Sequence, residues 1–366
     1  METCDVLIIG GGPAGSTCAG KLRRAGLDVI VMDRERFPRD KPCAGWITPR
    51  VMEALDIDSE EYRSVRTLQD IRGFRIGVVH GHEVEVQYGR TVSYGVIRSE
   101  FDSFLLEKSG ARLLLGEPVS SLERCDKGWL VNGRIKARLL VGAGGHFCPV
   151  ARILGARIGR EEVIVAQAAE FPMDLDQERY CTIPADTPVL FFCRDLKGYG
   201  WLFRKGRFLN VGLGRQDLCS LILHRRDFYS FLQERGYLPQ GASGVFRGHA
   251  YLPYARRGGR VCVAEGALLV GDAAGLSYPM SGEGILPAVE SALLAANAII
   301  AAAGDYRRDN LEPYRTALSE RLSGCRELPS LPLVSALIRP IGRRVVSSRM
   351  FARHLVLDRW FLHSIG

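Results

Sequence analysis

Several features are missing from this chain of 366 residues, and each absence removes a class of function. The ten cysteines (4, 18, 43, 125, 148, 181, 193, 219, 262 and 325) form no C-x-x-C pair. That pattern argues against zinc ribbons and thioredoxin-like redox motifs, and for small buried thiols in a reducing compartment. No apolar run reaches the roughly 18 residues of a spanning helix. His80 and His82 have no third ligand near them in sequence, so they read as a solvent turn and no metal is expected. There is no internal repeat, no low-complexity tract and no zinc-finger spacing. The chain opens directly into its first predicted strand, with no leader read ahead of it, so a cytoplasmic location is expected. Nor is there an excess of acid. Lysine and arginine number 49 against 41 acids, a net charge of +8. A moderate basic balance fits an anionic cofactor, an acidic membrane surface or plain solubility at least as well as nucleic acid, and no nucleic-acid partner is expected.

What is present begins at once. Val6–Ile9 is a short apolar run of the kind a doubly buried strand shows. Gly10, Gly12 and Gly15 follow in G-x-G-x-x-G spacing, with Pro13 and Ala14 between them. Ser16–Ala25 reads as a helix ended by Gly26, and Leu27–Met32 as a second strand with Asp33 at its end, 18 residues after Gly15. In this motif Gly10 permits the tight turn, Gly12 lets backbone approach a pyrophosphate, and Gly15 lets the helix pack on the strand. The helix N-terminus offers N–H groups to phosphate. Asp33 can accept hydrogen bonds from ribose hydroxyls. A second complete unit of this kind is also missing. One tightly held dinucleotide is therefore expected, with any nicotinamide docking only transiently.

After Asp33 and Arg34 comes a proline-punctuated loop, Phe37-Pro-Arg-Asp-Lys-Pro-Cys43-Ala44-Gly45, placed to run along the cofactor. Residues 48–57 and 98–108 read as helices. Alternation predicts strands at 71–79, 83–88 and 92–97, and a second sheet region at 163–171, 189–193, 200–204, 207–213 and 245–251, with one charged helix at 221–235. Two further glycine-rich sites follow buried strands: Gly142–Gly145 and Gly271-Asp272, the latter leading to Gly282, Gly284 and the apolar helix from Ile285. Asp272 is placed to bind polyol hydroxyls, or to cap a helix. A helix N-terminus at 282–285 would stabilise negative charge on a reduced ring. Tyr199, Trp201 and Phe203 alternate on one strand face, which suits an apolar or aromatic substrate or an ordinary core. Residues 328–366 are apolar and arginine-rich: Arg339, Arg343, Arg344, Arg349, Arg353 and Arg359 against Asp358. They read as a helical cap with a solvated basic face, or as a peripheral membrane contact.

These residues together resemble the FAD enzymes typified by p-hydroxybenzoate hydroxylase, and within them the geranylgeranyl reductase branch. The resemblance rests on Gly10–Gly15, Phe37–Cys43, Arg98 with Phe101-Asp102, Gly271-Asp-Ala-Ala-Gly275, and Pro279-Met-Ser-Gly-Glu-Gly-Ile285. It covers about the first 300 residues. The branch motif Tyr-x-Trp-x-Phe-Pro-Lys is matched by Tyr199–Lys205, with Arg204 in place of proline. Ala44 stands where the family has glycine, and Gly144 where it has aspartate. The halogenases' Trp-x-Trp-x-Ile-Pro is not found.

The resemblance implies an α/β fold: a Rossmann-like, glutathione-reductase-type FAD-binding domain (1–70, 98–162 and 256–310), an inserted β-sheet substrate domain (71–97 and 163–255) and a C-terminal helical segment (311–366). It implies FAD held by Gly10, Gly12, Pro13, Ala14, Gly15, Asp33, Arg34, Cys43, Ala44, Arg98, Val119, Gly271, Asp272, Gly282, Gly284 and Ile285. NAD(P)H or another external donor would supply electrons. Cys43, Tyr199 and Trp201 are the candidate catalytic residues, with Tyr199, Trp201 and Phe203 lining the substrate site. The expected reaction is reduction of carbon–carbon double bonds in a prenyl lipid by hydride from the flavin. The alternative is a monooxygenase using a flavin hydroperoxide on an aromatic or apolar substrate.

Overall fold

The computed structural model describes residues 1–156, 158, 161–239, 241–254, 260–323 and 348–363. Its centre is the strand Glu2–Ile9, whose Val6, Leu7 and Ile8 are fully buried. Such a run needs cover on both faces, and a parallel sheet supplies it. Glu2–Ile9 pairs in parallel with Val29–Asp33 on one side and Ile135–Gly142 on the other. Arg112–Leu115 and Ala267–Leu269 extend this sheet in parallel, and Val263–Ala264 closes one edge antiparallel. The helices Pro13–Arg24, Arg98–Lys108 and Ile285–Ala301 pack beside one another against it. Ile285–Ala301 is apolar almost all round and mostly buried, as such a helix must be.

A second sheet is largely antiparallel. Its order is Arg247–Tyr251, Ile164–Pro172, Phe208–Arg215, Gly198–Lys205, Val189–Phe192, Gly73–Val78 and Glu83–Gln87. One face buries Val189, Phe191, Leu202, Val211 and Leu213 under Phe228 and Phe231 of the helix Leu221–Glu234. The other face, with Leu190, Trp201 and Phe203, looks toward the first sheet. Ser93–Val96, which alternation groups with the strands before it, instead pairs with Leu68–Ile71 and Trp46–Ile47 in a small third sheet. That sheet ties the loop after the first βαβ unit to the second sheet.

The C-terminal stretch Ala352–Phe361 is π-helical and lies on the cavity-facing side of the second sheet, burying Val356, Leu357 and Phe361. Tyr88 donates to Asp358 at 2.6 Å, and Arg353 lies over the Tyr88 ring. Arg339, Arg343 and Arg344, read above as part of the basic segment, lie outside the described residues.

Candidate functional site

Between the two sheets runs one cavity of about 1100 Å³. At its first end stands the glycine motif. Gly10 has φ +116°, and a Cβ there would lie 2.4 Å from the Ala143 carbonyl oxygen. A Cβ on Gly15 would lie 1.9 Å from the Gly10 oxygen, so helix and strand touch. Gly12 has open space before it, with only the Arg39 guanidinium at 3.3 Å. No acid occupies the first turn of Pro13–Arg24. Asp33 accepts from the Gly11 N–H at 2.7 Å and the Glu35 N–H at 2.9 Å, which fixes its carboxylate at the cavity wall. Arg34 and Val119 line the same end.

The second glycine site meets the first. Gly271, at φ +58°, would carry its Cβ within 3.1 Å of Ala14 and 3.2 Å of Ala288. Asp272, Gly282, Gly284 and Ile285 line the cavity, while Gly15 and Gly271 serve the packing behind it.

Charge concentrates at the middle. Asp102 is fully buried; it accepts from Arg98 at 2.9 and 2.7 Å, and Arg39 Nη2 lies 3.0 Å away. Burial works against the Arg98 charge, but Asp102 holds the guanidinium ionised, above its ordinary value. Arg39 Nη1 is buried without a hydrogen-bond partner at the cavity wall. Lys41 Nζ lies 3.1 Å from His249 Nδ1, and His249 Nε2 lies 3.4 Å from Asp272. Burial pushes Lys41 down to about 8. Burial and the neighbouring Lys41 also lower His249. Burial would raise Asp272, but His249, Lys41 and Arg98 hold it below the usual carboxylate range.

The far end is apolar. Tyr199 and Trp201 project into the cavity from Gly198–Lys205, beside Trp46 and Phe361. Phe361 stacks on Trp46 at 5.1 Å and meets the Tyr199 ring edge-on at 5.3 Å. Small residues make the floor, where Gly214 faces Ala166; Gly212, outside the lining, makes room for the Trp201 ring, since a Cβ there would sit 2.3 Å from it. Phe203 shares this strand face but is outside the lining. Trp46 covers it edge-on at 5.6 Å, so it belongs to the core. Burial raises the Tyr199 phenol far above its ordinary value, and its hydroxyl donates to the Ser281 carbonyl.

Cys43 and Ala44 lie between the two ends, and a buried polar cluster holds them. Asn210 donates to the Cys43 carbonyl at 2.8 Å and accepts from the Trp201 indole at 2.8 Å. Lys205, fully buried and ion-paired to Glu170, donates to the Ala44 and Val96 carbonyls at 3.1 and 3.0 Å.

Sequence reasoning did not single out Lys41, His249, Asn210, Glu170 or Phe361. Only Lys41 carried a usable signal, since it lies in the loop already placed beside the cofactor.

The family described as "FAD binding domain" matches residues 3–189. A menaquinone reductase of Mycobacterium tuberculosis is 33% identical over 81% of this chain and 76% of its own length. A digeranylgeranylglycerophospholipid reductase of Methanothermobacter thermautotrophicus is 28% identical over 88% of this chain and 82% of its own. Among solved structures, a geranylgeranyl bacteriochlorophyll reductase-like protein of Thermoplasma acidophilum superposes with a TM-score of 0.73 at 22% identity, over 95% of this chain and 88% of that one.

Proposed function

This chain belongs to the FAD binding domain family, and we propose that it reduces carbon–carbon double bonds of a polyprenyl lipid. One observation carries the reading: a single cavity joins the glycine cradle to the Tyr199–Trp201 face over a floor of small residues. Reductase-named relatives that match over most of both chains support it.

The residues present fit FAD. The space before Gly12, the acid-free helix start and the unpartnered Arg39 Nη1 suit a pyrophosphate. Asp33 would hold the adenosine ribose and Asp272 the ribityl hydroxyls. Gly282, Gly284 and Ile285 would turn backbone toward the ring, with Cys43, Ala44 and Arg98 along its edge. When bound, FAD supplies hydride chemistry.

The chain's own residues do the rest. Tyr199, Trp201, Trp46 and Phe361 exclude water and orient a prenyl unit. A double bond without an electron sink needs a proton at its second carbon. Tyr199 has committed its hydroxyl to Ser281 and acts by position; Trp201 is likewise fixed through Asn210. Cys43 is the proton donor in this reading, and Lys41 with His249 restores its proton. The electron donor we assign to a reduced nicotinamide that docks transiently against the cations Arg34, Arg36 and Arg247 at the cavity edge. A peripheral bilayer contact is part of the same proposal, since no helix among the described residues is long and apolar enough to cross a membrane.

The test is anaerobic. The flavin-loaded protein is reduced, mixed with a polyprenyl lipid, and followed by flavin absorbance and product mass. Reoxidation with gain of two hydrogens by the lipid is expected. No reoxidation by any polyprenyl lipid, together with oxygen-dependent hydroxylation of an aromatic compound, would overturn the assignment in favour of a monooxygenase.

A further inference from the structure

The cavity has an apolar rim that the proposed reaction does not use. After the strand Phe208–Arg215, Leu218-Cys-Ser-Leu-Ile-Leu223 forms a short turn and the start of the helix Leu221–Glu234. Leu218 is 66% exposed, Ile222 49% and Leu223 67%. Single exposed leucines are ordinary on a soluble protein; three within six consecutive residues are not. From the first sheet's side, Phe147 is 56% exposed and lines the same cavity.

We infer that Leu218–Leu223 is a bilayer-docking tip, through which the cavity takes its prenyl chain directly from a membrane. The inference rests on the polyprenyl reading above. Continuity is the first argument. Leu218 and Leu221 line the same cavity as Tyr199 and Trp201, together with the small residues Ala166, Gly214 and Gly248. A prenyl chain leaving a bilayer here would pass from one apolar medium to another.

Charge is the second argument. The helix continues His224-Arg225-Arg226, with Arg226 exposed and Arg225 stacked on Phe246 at 4.3 Å. Val245 and Arg247, either side of Phe246, are exposed as well. An apolar tip with an arginine collar matches an interface of acyl chains under anionic headgroups. Of the nearby acids, Asp227 lies 2.9 Å from His80, Asp217 accepts from the Cys219 N–H at 3.0 Å and the Ser220 hydroxyl at 2.8 Å, and Asp40 pairs with Arg247 at 3.0 Å, so Arg226 and Arg225 carry the collar's charge. Among the described residues of the C-terminal segment, by contrast, Val356, Leu357 and Phe361 turn onto the protein itself, and Met350 and Phe351 are the large apolar side chains left exposed.

The experiment compares the flavin-loaded wild type with Ile222→Asp/Leu223→Asp. Both side chains are exposed and outside the cavity lining, so the fold and the site should hold, and an unchanged flavin spectrum checks it. Both proteins are sedimented with vesicles of phosphatidylcholine containing about a third phosphatidylglycerol. The wild type should co-sediment and the variant should bind about tenfold more weakly. The variant should also reoxidise normally with detergent-dispersed polyprenol and slowly with polyprenol held in vesicles. Equal vesicle binding by both proteins, or none by the wild type, overturns the inference. So does light scattering that shows the substitutions breaking a dimer while vesicle binding stays the same. If vesicle binding follows the expected pattern but detergent-dispersed polyprenol never reoxidises the wild type, the docking surface stands and the polyprenyl reductase reading falls.

Discussion

Replacing Asp102 by Asn should separate the structural and cofactor roles of the charge cluster. Asp102 is fully buried in the helix Arg98–Lys108 and serves two guanidinium groups, Arg98 at 2.9 and 2.7 Å and Arg39 at 3.0 Å. Asparagine keeps the shape and removes the charge. It also offers one acceptor oxygen where two are used. Breaking a buried ion pair in this way costs about 3–5 kcal/mol, because an uncompensated charge is left behind. Over 366 residues, at about 2.1 cal/mol/K each, that is a fall in Tm of about 4–6 °C. Bound FAD changes the result. A pyrophosphate against Arg39 supplies a new anion, and a charged hydrogen bond contributes about 1.5–3 kcal/mol. The penalty should therefore be smaller by about that amount in the FAD-saturated protein. Urea unfolding of flavin-stripped and flavin-saturated samples measures both values. A loss below about 1 kcal/mol in the stripped protein would refute the buried-pair argument. An equal loss in both forms would refute the placement of pyrophosphate at Arg39.

Gly12→Val should fold nearly normally yet lose flavin, since Gly12 has an ordinary φ of −75° and its Cβ would meet only the flexible Arg39 side chain; a normal flavin absorbance per protein would show the motif is misread. Lys41 is pushed down to about 8 by burial, so its charge is present below that pH and lost above it. FAD affinity should then weaken several-fold between about pH 7 and 9, and Lys41→Met should flatten the profile. Linkage gives the opposite slope for the flavin-free protein: the unfolded chain holds more protons between about 8 and the ordinary lysine value, so stability rises with pH there. A flat wild-type profile in calorimetric FAD titrations would sink the assignment. Gly214→Leu should cut kcat/KM for a polyprenyl lipid by about tenfold or more, with flavin content retained, because its Cβ lies 3.5 Å from Ala166 and 3.9 Å from the Trp201 ring, on the cavity floor. Unchanged kinetics would place the substrate elsewhere.

What the sequence made legible is local. Gly10, Gly12, Gly15 and Asp33 work within one strand–turn–helix–strand unit, so spacing alone places them. Gly271-Asp272 and the start of the helix at Ile285 are legible as a glycine-rich turn after a buried strand, but spacing leaves Asp272 between polyol binding and a helix cap, and only the fold puts it on the cavity wall. The partners that set the charge at the site are not local. Lys41 and His249 are separated by 208 positions and meet only because the edge strand Arg247–Tyr251 lies over the cofactor loop. No periodicity marks His249, which reads as one polar residue on an exposed edge. Phe203 fails for the reverse reason. Alternation placed it correctly on the Tyr199 face, but which part of a sheet face stays open depends on what packs over it. Here Trp46 arrives from a segment about 150 residues earlier and closes that end. Phe361 arrives from the other end of the chain, and the Tyr88–Asp358 bond that seats its helix spans 270 positions.

The polar cluster behind Cys43 explains why the two sheets need each other. An ammonium group has three hydrogens to satisfy, and buried Lys205 finds three partners: Glu170 from its own sheet, and the Ala44 and Val96 carbonyls from the segments that cross from the first sheet's side. Without those segments the second sheet would bury a lysine with two unmet donors, a state that costs several kcal/mol. Asn210 makes the same demand, since its amide needs the Cys43 carbonyl as well as Glu170. Placement of the Cys43 loop is thus a condition for burying the core of the second sheet. The indole of Trp201, tied to Asn210 at 2.8 Å, is set by the same network. The Cys43 carbonyl and the Trp201 indole are held by one shared residue, so their spacing is a property of the fold rather than of either loop.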